Sequence, residues 1–137
     1  MKVKLDAGAY LPERAHATDA GADLRAREDC IIKAGESAVF DTGVHVEIPP
    51  GFVGMLKSKS GLNVKYGIIS DGVIDAGYTG SIKVKLYNLS KDDYVVYAGD
   101  KITQLVIMPI GYNIHFELVD EISGGERGNN GFGSSGK

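Results

Sequence analysis

An arginine and an aromatic ring set among glycines are the first residues here whose types suggest chemistry. From Ser123 to Lys137 the chain reads Ser-Gly-Gly-Glu-Arg-Gly-Asn-Asn-Gly-Phe-Gly-Ser-Ser-Gly-Lys, placing Arg127 and Phe132 in a small-residue background. A guanidinium grips phosphate with a planar fork, and an aromatic ring stacks on a nucleobase. With Phe132 as its one large apolar side chain, the stretch buries too little surface to repay its ordering entropy. It is therefore expected to be mobile until a ligand binds. A floppy terminus is the plain alternative, but the pairing of Arg127 with Phe132 favours a ligand-closing arm over residues 123–137. A carboxylate, Asp75, follows Val73-Ile74 at a turn into a second strand, where a rigid sheet can fix it. The plain alternative there is an ordinary hairpin aspartate.

Other chemistries are excluded. No Gly-x-x-x-x-Gly-Lys-Ser/Thr run is present, so the chain is not a P-loop enzyme. His16, His45 and His115 are scattered and Cys30 is the one cysteine, so no zinc constellation forms. A metal, if used, should be a hard cation held by oxygen and completed by phosphate.

These groups need a scaffold, and strand signals dominate it. Ile82, Val84 and Leu86 alternate with Lys83, Lys85 and Tyr87, and Val44, Val46 and Ile48 alternate with His45 and Glu47. That is the period of a half-buried strand. Further strands are expected near 22–26, 30–34, 37–42, 52–57, 94–97, 101–108 and 113–119. Turns are expected at Ala34-Gly35, Asp41-Thr42-Gly43, Asp71-Gly72 and Ala98-Gly99-Asp100. One short helix is expected from about Ser60 to Tyr66, a connector between strands. Many short strands at this spacing imply an all-β sandwich, jelly roll or barrel.

Composition sets the outer bounds. A chain of 137 residues fits one domain, and 43% apolar content can build a core. With 15 basic against 18 acidic residues the net charge is −3, and a nucleic-acid binder would usually carry a basic excess. A lone cysteine suits a reducing, cytoplasmic setting. No apolar run approaches the roughly 20 residues that span a bilayer, and the Met1–Asp6 stretch lacks a signal peptide's apolar region. A soluble, intracellular protein with no membrane or nucleic-acid partner is expected.

Five segments then stand together in order: Thr18-Asp19-Ala20-Gly21-Ala22-Asp23-Leu24-Arg25-Ala26; Lys57-Ser58-Lys59-Ser60-Gly61-Leu62 with Lys65-Tyr66-Gly67-Ile68; Gly72-Val73-Ile74-Asp75-Ala76-Gly77-Tyr78-Thr79-Gly80; Gly99-Asp100-Lys101-Ile102-Thr103-Gln104-Leu105; and Arg127-Gly128-Asn129-Asn130-Gly131-Phe132-Gly133-Ser134-Ser135-Gly136. Each alone is weak. In this order, over nearly the whole chain, they resemble the five motifs of the homotrimeric dUTP pyrophosphatases (dUTPases). The resemblance implies a jelly-roll-like β domain over 1–122 and an arm over 123–137. It also implies a homotrimer with sites between subunits, and hydrolysis of dUTP to dUMP and pyrophosphate.

The same resemblance implies the roles. Asp75 orients and deprotonates the water that attacks the α-phosphorus; a free aspartate titrates near ~3.9, so positioning and charge neutralisation must do most of the work. The Tyr78 ring lies against the deoxyribose and leaves no room for a 2′-hydroxyl. Backbone groups of the same hairpin, at Gly72 and Ile74, read uracil. Asp23 holds Mg²⁺ through waters while the triphosphate supplies direct ligands. Ser60 and Gly61 turn backbone N–H groups toward phosphate, and Ser60 also reads as an N-cap. Gln104 joins the phosphate or water network, and Asp100 makes a structural contact. Arg127 reaches the triphosphate, Phe132 stacks on uracil, and Gly133, Ser134 and Ser135 complete the arm's contacts. The sequence departs from the family's usual Pro-Arg-Ser-Gly-Leu, having Ser58-Lys59-Ser60-Gly61-Leu62. Lys59 keeps the charge and loses the bidentate fork, with Lys57 available to share the load.

Two rivals stand beside this reading. A dCTP deaminase, or its bifunctional form, would share the fold but should need an acid near the base, and Ser81-Ile82-Lys83-Val84-Lys85-Leu86-Tyr87 holds no glutamate. A nucleotide-gated interaction protein would bind dUTP tightly without turnover.

Overall fold

The computed structural model describes residues 1–131. The strongest alternation in the sequence forms the clearest strand: over Lys83–Asn88, Val84, Leu86 and Asn88 point inward while Lys83, Lys85 and Tyr87 point out. In chain order the elements are β1 Val3–Leu5, β2 Gly21–Arg25, β3 Cys30–Ile32, β4 Ser37–Asp41, β5 Val44–Val46, β6 Phe52–Lys57, α1 Ser60–Tyr66, β7 Ile68–Ile74, β8 Lys83–Asn88, β9 Tyr94–Val96 and β10 Lys101–Pro109. Six of them form a sheet in the order β2-β10-β6-β7-β8-β4, and two ribbons, β1–β5 and β3–β9, flank it. Every pairing is antiparallel. This is the expected all-β, jelly-roll-like architecture with one short helix.

The sheet curls because β7 changes partner along its length. Ile68–Ser70 pairs with β8, whereas Asp71–Ile74 pairs with β6. The inner faces close on one core that includes Leu24, Ile32, Phe40, Leu56, Ile68, Ile82, Leu86 and Leu105. Helix α1 ends at Gly67, whose φ of 66° is left-handed and whose N–H donates to the Asn63 carbonyl at 3.0 Å. A side chain there would be strained twice, by that backbone and by the Ser90 nitrogen 3.3 Å from an added Cβ.

A buried polar joint ties the start of this helix to the sheet. The Ser70 and Thr103 hydroxyls lie 2.7 Å apart, and the Thr103 hydroxyl donates to the Lys57 carbonyl at 3.0 Å. Ser58 donates to the Ser70 carbonyl at 2.8 Å and accepts from the Ser70 N–H at 2.9 Å. The segment 57–61 is thereby fixed to both β7 and β10.

The expected turns at 34–35, 41–43 and 98–100 are present, but Asp71-Gly72 is not a turn. It lies inside β7, with Asp71 opposite Lys57 and Gly72 opposite Leu56. The Lys57 ammonium binds the Asp71 carboxylate at 2.7 Å, so a turn-forming pair is held extended by its neighbour. No strand forms over 113–119 either. Ile114, Phe116 and Leu118 are exposed, and within one subunit that stretch has no sheet edge beside it to complete a ladder. Strand β1 has a weak sequence signal and forms by pairing with β5.

Because Ser70 and Thr103 are both buried, Thr103→Val should strand the Ser70 hydroxyl and the Lys57 carbonyl. The expected cost is about 1–3 kcal/mol, seen as a lower urea midpoint with an unchanged slope.

Candidate active site

One face of the sheet carries a polar row across four strands. Asp23 of β2 stands opposite Gln104 of β10, Gln104 opposite Lys57 of β6, and Lys57 opposite Asp71 of β7. Residues directly opposed in antiparallel strands share a face, so these side chains form one line. Gln104 donates to the Ser58 carbonyl at 3.2 Å and Lys57 is paired with Asp71, which joins the row to the start of α1.

Asp23 is the most enclosed member, 7% exposed. It therefore lies within a strand and under neighbours, not on the surface near a turn. Lys59 binds one carboxylate oxygen and Lys101 binds the other at 2.8 Å. Burial alone would push this carboxyl up, but the hydrogen bonds and charges of Lys101 and Lys59 outweigh it and hold Asp23 below the usual carboxylate range.

Lys101 is a residue the sequence reading assigned no part. Strand alternation puts it on the same side as buried Thr103, yet the ladder slips between Lys101 and Thr103. Ile102 and Thr103 both turn inward, and Lys101 returns to the side of Gln104. A bulge of this kind has no period to read.

The helix start also differs from expectation in one respect. The N-cap position belongs to Lys59, not Ser60, and no side chain caps it. The Lys59 carbonyl accepts from Asn63 N–H at 2.9 Å, closing the first turn one residue early, while the Lys59 side chain is drawn to Asp23. The N–H groups of Ser60, Gly61 and Leu62 remain outside the helix's own ladder.

A second cluster sits where β7 and β8 part. Their ladder ends at Ser70–Leu86, so the chain from Asp71 to Ile74 has no β8 partner on that edge. A pocket of about 220 Å³ opens there, lined by Val73, Ile74, Asp75, Tyr78 and Lys83. The Ile74 side chain is buried in the core, opposite Gly54, whereas Asp75 is exposed just past the strand end. The Asp75 carbonyl accepts from Tyr78 N–H at 3.0 Å, closing a tight turn. Tyr78 is neither a strand residue nor free at its hydroxyl, which donates to the Ser81 carbonyl at 2.9 Å. Its ring lies over Gly80, where a Cβ would come within 2.5 Å of the hydroxyl oxygen. Asp71, Val73 and Asp75 follow the strand period, so Asp75 continues the face of the polar row, roughly 13 Å beyond Asp71.

The structure thus gathers Asp23, Lys59, Gln104 and the Ser60–Gly61 start in one cluster, and Ile74, Asp75 and Tyr78 in a second where β7 and β8 part, with Gly72 beside it in β7. Arg127 is joined to neither. Its guanidinium donates to the Gly131 carbonyl at 3.0 Å. Asp100 is structural, as expected: its carboxylate accepts from Tyr97 N–H at 2.9 Å. Phe132, Gly133, Ser134 and Ser135 lie outside the described residues. Among the described residues no group of three or more His, Cys, Asp or Glu could hold a metal, and no helix is long and apolar enough to cross a membrane.

A curled antiparallel subunit with this face has the jelly-roll-like architecture of the dUTPase structures. The Staphylococcus bacteriophage 80alpha dUTPase, solved as a point mutant with dUpNHpp, matches at a TM-score of 0.91 and 35% identity over 99% of this chain and 98% of that one. A mutant dUTPase from phage phi11 of S. aureus, described as revealing the coordination of a structural Mg(II) ion, matches at 0.80 and 33% identity, covering 88% and 96%. The deoxyuridine 5′-triphosphate nucleotidohydrolase of Clostridium acetobutylicum is 45% identical over 136 residues, 97% of this chain and 93% of that protein. The dUTPase family model matches residues 7–136. The chain belongs to the dUTPase family.

The depressed Asp23 value has a consequence for folding. A carboxyl lowered in the folded state contributes stability above its unfolded value and loses it as pH falls through the folded value. Urea midpoints followed from about pH 6 down to 2 should fall through this region, with the drop beginning below ~3.9. Asp23→Asn should show a shallower acid limb.

Proposed function

We infer that this chain hydrolyses dUTP to dUMP and pyrophosphate by attack of water on the α-phosphorus. The observation that carries this reading is the parting of β7 from β8, which leaves an unpaired backbone edge beside a carboxylate. A uracil placed in the 220 Å³ pocket would meet the chain at Ile74, and the N–H and C=O groups there, with those of Gly72 nearby in β7, would pair with its edge as a second base would. Cytosine would leave those groups unpaired, and unpaired buried polar groups are what make such reading selective. The Tyr78 ring closes against the deoxyribose, where a 2′-hydroxyl would collide. A C5 methyl would meet the hairpin backbone.

Asp75 stands at the lip of this pocket and takes the proton of the attacking water as its oxygen bonds to phosphorus. Pyrophosphate leaves on the opposite side. The free N–H groups at Ser60 and Gly61, with Gln104, face the phosphates. Lys59 reaches them only by leaving its ion pair with Asp23. A single carboxylate between two lysines cannot by itself cage a cation, but it suits an ion that arrives already bound to phosphate and keeps its waters. Asp23 would hold that Mg²⁺ from outside, and the ion when bound neutralises triphosphate charge.

The arm completes the site from a neighbouring subunit of a homotrimer. Phe116 and Leu118 are 101% and 98% exposed, with Ile122 beyond them. Monomers seldom leave such a run of apolar side chains in water. An arm reaching across carries Arg127 toward the triphosphate and Phe132 onto the uracil. The lone cysteine and the acidic balance suit a cytoplasmic enzyme that binds free nucleotide.

Purified protein should convert dUTP, and hardly any UTP, dTTP or dCTP, to monophosphate and pyrophosphate, with EDTA suppressing the rate. Release of inorganic phosphate would refute attack at the α-phosphorus. Asp75→Asn should bind dUTP but turn over ~10²-fold or more slowly, the usual contribution of a positioned base.

Crossing of the arm is tested by mixing. Full-length Asp75→Asn and a chain ending at Gly125 should each be nearly inactive. Mixed trimers should regain activity in about a quarter of sites, since each site independently draws an intact Asp75 from one subunit and an arm from another. Activity no higher than the parents, in trimers shown to be mixed, would place the arm on its own subunit.

A further inference from the structure

His45 stands apart from every role assigned so far. It is the middle residue of β5, opposite Lys4 of β1. Its ring reaches the return limb of the substrate hairpin, with Nδ1 2.8 Å from the Thr79 carbonyl oxygen and Nε2 3.2 Å from the Asp6 carboxylate. Both partners only accept: a carbonyl has no proton to give, and neither has an ionised carboxylate. A neutral imidazole carries one N–H, so it makes one of these bonds and turns a lone pair toward the other oxygen. Imidazolium makes both. The side chain is 20% exposed, which limits what water can replace.

We propose that doubly protonated His45 is a positioning residue for the substrate hairpin, bridging Thr79 to Asp6 so that substrate affinity falls when the second proton leaves. The proposal rests on the dUTP-hydrolysing reading for the identity of the substrate; the tether does not. Thr79 follows Tyr78 directly, so a shift of its carbonyl moves the residue assigned to the deoxyribose. Asp75 lies on the other limb, fixed by β7. The effect therefore belongs to binding more than to turnover.

The charges facing the ring come from two elements. Strand β1 supplies Lys4 and the residue just past it Asp6, and the continuation of β5 supplies Glu47, paired with Lys2 at 2.9 Å. The Thr79 carbonyl and Asp6 raise the ring's pKa, burial and Lys4 oppose them, and the net direction is upward. A folded value raised above the ordinary one means that the tether is complete below ~6.5 and is lost as pH rises through the folded value. The limb keeps other anchors, including Ile82 N–H to the Val44 carbonyl at 2.9 Å and the Ser81 hydroxyl to Asp41, so it loosens without detaching.

The test pairs a ligand-free measurement with kinetics. NMR of the full chain without nucleotide should show the Tyr78, Thr79 and Gly80 amides shifting in step with the His45 ring as pH is raised from about 5.5 to 9. Over that range the KM for dUTP should rise about fivefold relative to the variants, the worth of one ordinary hydrogen bond, with little change in kcat. His45→Ala should show the high KM at every pH. Should that variant unfold, His45→Gln serves in its place, with a KM that no longer follows pH. Asp6→Asn should show the low KM throughout, because an asparagine amide donates to the lone pair of the neutral ring while Nδ1–H keeps Thr79. Amides indifferent to the His45 titration would overturn the proposal. So would wild-type KM in His45→Ala at low pH, or a pH dependence that survives Asp6→Asn. A chain that turns over no dUTP would instead defeat the substrate reading, and the amide titration would still decide the tether.

Discussion

The change of partner in β7 is the constraint on which the rest of the site depends. A strand has two hydrogen-bonding edges, and β7 uses them in turn: Ile68–Ser70 is paired with β8 and Asp71–Ile74 with β6. Where the second ladder stops, backbone groups that a continuous sheet would consume are left at the rim of a pocket. An unpaired edge normally invites another strand. Here the tight turn at Asp75–Tyr78 follows at once and the Tyr78 ring folds back over Gly80, leaving a pocket of about 220 Å³ at the parting. The split is stabilised by Ser70, the last residue paired with β8, whose hydroxyl and backbone are engaged by Thr103 and Ser58.

The same joint governs the phosphate side. Ser58 and the Lys57 carbonyl are held by β7 and β10, so the chain enters α1 at a fixed place and Lys59 is delivered to Asp23. A buried carboxylate is costly unless its charge is answered, and two lysines answer it. Both lysines stay partly open to solvent while their charges are taken up by Asp23. The contact Lys59 makes is one ammonium on one carboxylate oxygen, which needs no planar fork.

Much of this was legible in the sequence because the residues obey local rules. The 83–88 alternation, the short helix over 60–66 and the turn at Asp75 all follow from side-chain period and turn chemistry. The failures share a cause, which is tertiary context overriding a local signal. Asp71-Gly72 has the composition of a turn and is held extended by Lys57 and Leu56. Lys101 is turned toward Asp23 by a bulge. Lys59 ends as an uncapped N-cap because an ammonium has no acceptor to offer the helix N–H groups, and it pairs instead with Asp23, 36 residues away in sequence. The apolar alternation at 114–118 has a strand's period, but among the described residues no strand pairs with it.

The two limbs of the hairpin are held by different physics, and this divides labour within the site. The outgoing limb is β7, fixed by a ladder and by apolar burial of Ile74. The return limb enters the core only at its far end, through Ile82; nearer Tyr78 it is held by polar contacts of Thr79 to His45 and of Ser81 to Asp41, at the corner between β4 and β5 where Arg27 also donates to the Asp41 carbonyl at 2.9 Å. Ladder and core interactions are insensitive to pH and yield only when the fold does. Polar contacts between charged groups respond to pH, salt and single substitutions while the fold stands. Asp75 takes its position from the first kind and Tyr78 from the second. Changes at the 41–45 corner should therefore shift Tyr78 while leaving Asp75 where the ladder holds it.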